Sequence, residues 1–171
     1  MKSGATRKLL LVDDEPGILT LLEKILNKTA DEIHTAANGA EALEKMKTVS
    51  YDAVLSDINM PVLSGLDLLA HMRAKQMQTP FVFLSGYGDK EKTREAFRLG
   101  ATDFLDKPFE PETVVDIMSK ALALGQTIRT IETELESMYT SDSIPADMKI
   151  RLRQVKQAIV TMRYAVDIYK K

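Results

Sequence analysis

The amino-acid sequence predicts an α/β protein: a doubly wound, five-stranded parallel sheet followed by an antiparallel α-helical hairpin. Three observations carry this reading. Five short apolar runs alternate with stretches of helical period over the first 121 residues, and such alternation builds a parallel sheet with helices on both faces. Asp13-Asp14, Asp57, Ser85 and Lys107-Pro108 stand where four of those runs end. Beyond Lys120 the apolar period becomes the 4-3 spacing of a coiled-coil seam.

The elements follow in order. Lys8–Val12 (KLLLV) is a short apolar run suited to a buried parallel strand. Pro16 suits a first helical turn, and Ile18, Leu21, Leu22, Ile25 and Leu26 recur at helical spacing. Glu32–Ala36 reads as a second strand and Ala40–Met46 as a helix. Tyr51–Ser56 is the third strand, and Ser64 can cap the next helix. Phe81–Ser85 is the fourth strand, with Asp89 able to cap a helix that Gly100 ends as a C′ glycine. Thr102–Asp106 is the fifth, and Pro111-Glu112 opens the last helix of the sheet domain.

That helix continues past its sheet contacts. Ile117, Ala121, Leu124, Ile128, Ile131, Leu135 and Met138 form one seam, interrupted by Gly125 at a cost of about 1 kcal/mol relative to Ala, with a bend expected there. A turn from Thr140 to Pro145 leads to a second seam: Met148, Leu152, Val155, Ile159, Met162, Val166 and Tyr169. Two seams joined by a short turn read as a helical hairpin whose arms would each be about 35 Å long at 1.5 Å per residue. The expected division is a sheet domain over residues 1–121 and a hairpin over 122–171.

Composition narrows the function. The chain of 171 residues is 44% hydrophobic and 28% charged, as soluble domains are. It has no cysteine, which excludes disulfides, thiolate metal sites and Cys nucleophiles. The net charge of −2 gives no whole-chain reason to expect nucleic acid. The tail holds 8 Lys/Arg against 6 Asp/Glu, a dispersed excess that reads as a solvated helical surface. No apolar run approaches the roughly 18 residues of a membrane span, and no signal segment opens the chain, so a cytoplasmic address is expected.

Taken singly, the polar marks have ordinary readings. An acidic residue near Pro16 can cap a helix, a strand-end Asp or Ser can make a turn, and a loop Lys is usually solvated. Together they converge, because a parallel sheet gathers its strand ends at one edge. Asp13 and Asp14 offer hard oxygens to Mg²⁺. Asp57 can act as a nucleophile toward phosphorus. Ser85 can donate to a phosphoryl oxygen, and Lys107 can pair with the carboxylate or with the phosphoryl group.

LLLVDDEP, VLSDINMPVLSG, FVFLSGYGD and GATDFLDKPF make residues 5–122 resemble the receiver domain of two-component response regulators. The resemblance implies a flavodoxin-like sheet in the order 2-1-3-4-5. It implies that Asp57 is the phosphoacceptor and that Mg²⁺ is held by Asp13, Asp14, Asp57 and the backbone carbonyl of Asn59. Ser85 and Lys107 match the switch hydroxyl and the lysine of the site, and Lys107-Pro108 matches a cis peptide. Phe104 occupies the place of the switch aromatic, and as Phe rather than Tyr it lacks a hydroxyl. Gly86 stands where Ala is common. The implied partner is a histidine kinase or a histidine phosphotransfer protein, and the only implied catalysis is self-phosphorylation and autodephosphorylation.

The tail is too short for a winged-helix or ATPase effector. Both histidines, His34 and His71, precede it, so it cannot be a histidine phosphotransfer module. A homodimer through residues 122–171 is expected, as a four-helix bundle. Three other readings compete with this one. A DNA-binding regulator would need clustered phosphate contacts. A dehalogenase-like phosphatase would place its nucleophile after the first strand, in an Asp-x-Asp pattern that Asp57-Ile58-Asn59 lacks. A helical-bundle phosphatase would use Gln154 or Gln157 to orient water.

Overall fold

The apolar runs become one parallel sheet. The computed structural model describes residues 6–86, 90–140, 144–151 and 154. Its strands are β1 (Lys8–Val12), β2 (Glu32–Ala36), β3 (Ala53–Asp57), β4 (Phe81–Ser85) and β5 (Asp103–Asp106). They pair in the order β2-β1-β3-β4-β5, all parallel. The helices are α1 (Pro16–Leu26), α2 (Gly39–Met46), α3 (Gly65–Ala74), α4 (Lys90–Arg98) and α5 (Pro111–Thr140). The fold is the flavodoxin-like one expected. The third strand begins two residues later than the apolar run suggested and includes Asp57 as its last residue.

Alternation along each strand splits the core into two layers. Leu10, Val12, Val54, Phe81 and Phe83 face Leu68, Leu69 and Met72 of α3, Ala42 of α2 and Ala96 of α4. Leu9, Leu11, Leu55, Val82 and Leu84 face Leu22 and Leu26 of α1 and Val114, Met118 and Leu122 of α5. Leu21, read as part of the apolar stripe of α1, is 45% exposed. Each fully buried aliphatic side chain contributes about 1.5–3 kcal/mol, so both layers matter to stability.

The helix ends follow local chemistry. The hydroxyl of Ser64 accepts a hydrogen bond from the Asp67 amide and caps α3. Gly100, at φ 83°, closes α4 in the left-handed region. The Gly100 amide donates to the Phe97 carbonyl at 3.0 Å and the Ala101 amide to Ala96 at 2.9 Å, the two bonds of a Schellman motif. Asp89, read as the α4 cap, lies outside the described residues.

α5 crosses the expected domain boundary without a break. Its buried face is Val114, Met118, Ala121, Leu122 and Gly125; of the seam residues, Ala121 is buried there and Ile117 packs against the same core, while Leu124 is exposed. Gly125 serves close approach, and the helix continues through it. A Cβ there would lie 1.7 Å from the Asp52 carbonyl oxygen. One turn on, the Arg129 guanidinium lies 3.3 Å from Asp52 Oδ1 and donates to the Thr6 carbonyl at 3.1 Å. The contact with Oδ1 has ion-pair distance but not hydrogen-bond geometry. Asp52 Oδ2 accepts from the Lys8 amide at 2.8 Å. Burial raises the Asp52 carboxyl above its ordinary value, while the Lys8 amide and the Arg129 charge pull it down.

Helix resumes at residues 146–151. Leu152 and the seam positions from Val155 to Tyr169 lie outside the described residues, as does most of the second arm of the hairpin. Among the described residues, no helix is long and apolar enough to cross a membrane.

Two outcomes follow from this docking. Gly125→Ala should destabilise the chain by about 1–3 kcal/mol in urea unfolding, because overpacking against the Asp52 backbone outweighs the helix-propensity gain of about 1 kcal/mol. A more stable variant would contradict the close approach. Arg129→Ala leaves the buried Asp52 carboxylate without its counter-charge and should cost about 1–3 kcal/mol at neutral pH. Its loss raises the folded-state value of Asp52 further. A carboxyl raised in the folded state contributes stability at low pH that disappears as pH climbs through that value. The deficit of the variant should therefore grow as pH climbs above the ordinary carboxylate range, and a deficit independent of pH would contradict this electrostatic origin.

Candidate functional site

The register of the sheet brings the polar marks to its carboxyl edge. Val12 pairs with Ser56, Asp57 with Leu84, and Ser85 with Asp106. Asp13 follows β1, Asp57 and Ser85 end β3 and β4, and Lys107 follows β5. The Lys107 amide donates to the Ser85 carbonyl at 2.8 Å, which holds the two strand ends together. The Lys107–Pro108 peptide is cis.

The Lys107 ammonium joins the acids. It donates to Asp57 Oδ1 at 2.6 Å and to Asp13 Oδ2 at 3.2 Å. Asp13 is 1% exposed. Its other oxygen accepts from the Glu15 amide at 2.9 Å, so the same side chain also shapes the turn into α1. Burial raises the Asp13 carboxyl above its ordinary value against the pull of the Glu15 amide and of Lys107. Burial alone would lower the Lys107 ammonium, but Asp57 and Asp13 hold it above its ordinary value.

Asp57 is fixed through both oxygens. Oδ2 accepts from the Asn59 amide at 2.6 Å. Beneath it, Gly65 lets the start of α3 approach, for a Cβ there would lie 2.1 Å from the Asp57 carbonyl oxygen. Between them the chain makes a γ-turn centred on Val62, at φ 68°, with the Leu63 amide donating to Pro61 at 2.8 Å.

The remaining expected residues lie around this triad. Asp14 is exposed beside Asp13. The Ser85 side chain is buried, and its hydroxyl donates to the Gly86 carbonyl at 3.5 Å. Phe104 is half-buried between Phe83 and Phe97, with ring centroids 5.6 and 4.5 Å away. Among the described residues, no three His, Asp or Glu side chains converge closely enough to hold a metal. Mg²⁺ needs only one or two carboxylates and keeps several waters. Asp13 and Asp57, drawn toward one cation already, supply that donor chemistry.

Two features were not anticipated from sequence. Lys92 of α4 donates to Asn59 Oδ1, placing a second ammonium at the mouth of the crevice. Asp52, at the opposite end of β3, holds α5. Neither has a sequence signal beyond its residue type, because each acts across a tertiary contact.

A doubly wound sheet with two carboxylates and an ammonium at its carboxyl edge defines a class of protein, and similarity to known proteins agrees with it. Residues 9–119 match the model of the response regulator receiver domain. The chain belongs to that family and carries a receiver domain of two-component response regulators. It is 33% identical over 137 residues to the regulatory protein AtoC of Escherichia coli K12, covering 80% of this chain and 30% of AtoC. It is 35% identical over 127 residues to the transcriptional regulatory protein SrrA of Staphylococcus aureus, covering 74% of this chain and 52% of SrrA. This chain thus aligns with about half or less of the length of those relatives. The chemotaxis response regulator CheY4 of Vibrio cholerae superposes with a TM-score of 0.63 at 34% identity, over 68% of this chain and 99% of that one.

Proposed function

We propose that this chain is a phosphorylation-dependent switch in which Asp57 accepts a phosphoryl group from a histidine kinase or a histidine phosphotransfer protein. The observation that carries the reading is the Lys107 ammonium shared by Asp57 and Asp13 at the sheet edge. An Asp57 oxygen attacks phosphorus, the phosphorus–nitrogen bond of the donor phosphohistidine breaks, and an acyl phosphate forms. Lys107 then pairs with the added charge, which is about −1.5 to −2. Asp13 and Asp57, with Asp14 and the Asn59 carbonyl beside them, would hold Mg²⁺. When bound, that ion neutralises phosphoryl oxygens and lowers repulsion among the acids.

The response is a population shift between two packings. Ser85 moves toward the phosphoryl group, and Phe104 turns further into the space beside Phe83. Phe97, tilted against Phe104 and 47% exposed on α4, carries the change to the surface. The chain has no separate substrate: it catalyses only its own loading and autodephosphorylation. It acts in the cytoplasm through protein contacts.

α5 supplies the partner surface. Leu124, Ile131 and Met138 are 38%, 45% and 43% exposed at seven-residue spacing, with Ile128 and Leu135 half-buried between them. A second copy covers such a stripe through residues 122–171.

Acetyl phosphate with Mg²⁺ should label the wild-type chain and leave Asp57→Asn unlabelled; persistent labelling of the variant would rule out Asp57 as acceptor. Sedimentation should give dimers at micromolar concentration, and Ile131→Glu should give monomers. A monomeric wild type would refute the tail interface.

A further inference from the structure

We propose that Lys92 is a positioning residue that closes the mouth of the acceptor crevice and sets the lifetime of the acyl phosphate. The inference rests on the reading of Asp57 as the phosphoacceptor. Its basis is a relay of contacts from α4 to that residue. The Lys92 ammonium donates to the side-chain oxygen of Asn59. The Asn59 amide donates in turn to Asp57 Oδ2. Lys107 holds the other oxygen from the far side. Asp57 is therefore flanked by two ammonium groups, one in contact and one acting through Asn59. The second comes from a helix distant in sequence, and both Lys92 and Asn59 are exposed.

The contact tethers Asn59 beside Asp57, and in this proposal the carboxamide screens phosphorus from solvent while Lys92 holds it. α4 is thereby tied to Asp57 by its own lysine, a link that needs no hydroxyl on the aromatic at position 104.

The step under control is hydrolysis of the acyl phosphate. A water oxygen attacks phosphorus, the bond from phosphorus to the Asp57 oxygen breaks, and the carboxylate is regenerated. Both water hydrogens leave with inorganic phosphate. Releasing Asn59 opens the mouth to that water, so loss of Lys92 speeds the step.

The test uses the full chain, loaded with acetyl phosphate and Mg²⁺ and then freed of donor. The half-life of the label is compared for wild type, Lys92→Ala and Lys92→Arg. Lys92→Ala should load on Asp57 but lose label about threefold faster, the size of effect an exposed charged contact supplies. Lys92→Arg should restore most of the wild-type half-life, which a merely structural side chain would not explain. An unchanged half-life in Lys92→Ala overturns the proposal, and so does a loss that arginine fails to restore. Absence of label in the wild type would instead refute the acceptor reading, so the two failures are distinguishable.

Discussion

One ammonium holds the site together. Two carboxylates meet at this edge, and the charge of Asp57 adds to the burial that disfavours ionised Asp13. Asp13 is buried and Asp57 nearly so, so the pair would be unstable without a cation between them. Lys107 supplies that cation in this structure. The β1–β3, β3–β4 and β4–β5 pairings bring the groups to one edge, and the hydrogen bond from the Lys107 amide to the Ser85 carbonyl ties two strand ends together. The charge balance is still negative, with two carboxylates on one ammonium. That residual charge suits a site that receives a metal ion.

The opposite edge of the sheet has its own constraint. β3 carries Asp57 at one end, and Asp52 immediately precedes the other. Gly125 lets α5 rest on the Asp52 backbone, and Arg129 reaches Asp52 and Thr6 from the next turn. The long helix is therefore anchored to the receiver well beyond its sheet contacts. Its stripe at Leu124, Ile131 and Met138 is exposed. Sheet domain and the first arm of the tail share one helix, which is why a boundary at 121/122 has no local marker.

Much of this was legible in the sequence. β1 and β4 match their apolar runs residue for residue, because a strand buried on both faces is a continuous hydrophobic segment with sharp polar ends; β2, a half-buried edge strand, also keeps its expected bounds. Ser64 and Gly100 were legible because caps depend on local chemistry alone. The placement of Asp13, Asp57 and Lys107 at one edge followed from the strand-end rule for parallel sheets. Other features depended on distant neighbours. Gly125 looked like a bend because its reason is the Asp52 backbone, 73 residues away in sequence. The start of β3 was misjudged because Tyr51 and Asp52 are buried yet engage His34 and Lys8 through their side chains. Asp14 follows Asp13 along the edge and is exposed where Asp13 is buried, a difference that residue type alone does not signal.

On the proposed reading, residues 13, 14, 57, 85 and 107 share one cation and one phosphoryl-sized space. Backbone amide resonances followed during titration with Mg²⁺ and then beryllofluoride test it directly. The account predicts that the largest shifts cluster at residues 13, 14, 57, 59, 85 and 107, with smaller ones at 104. Shifts that are absent, or that centre away from the carboxyl edge of the sheet, would contradict it.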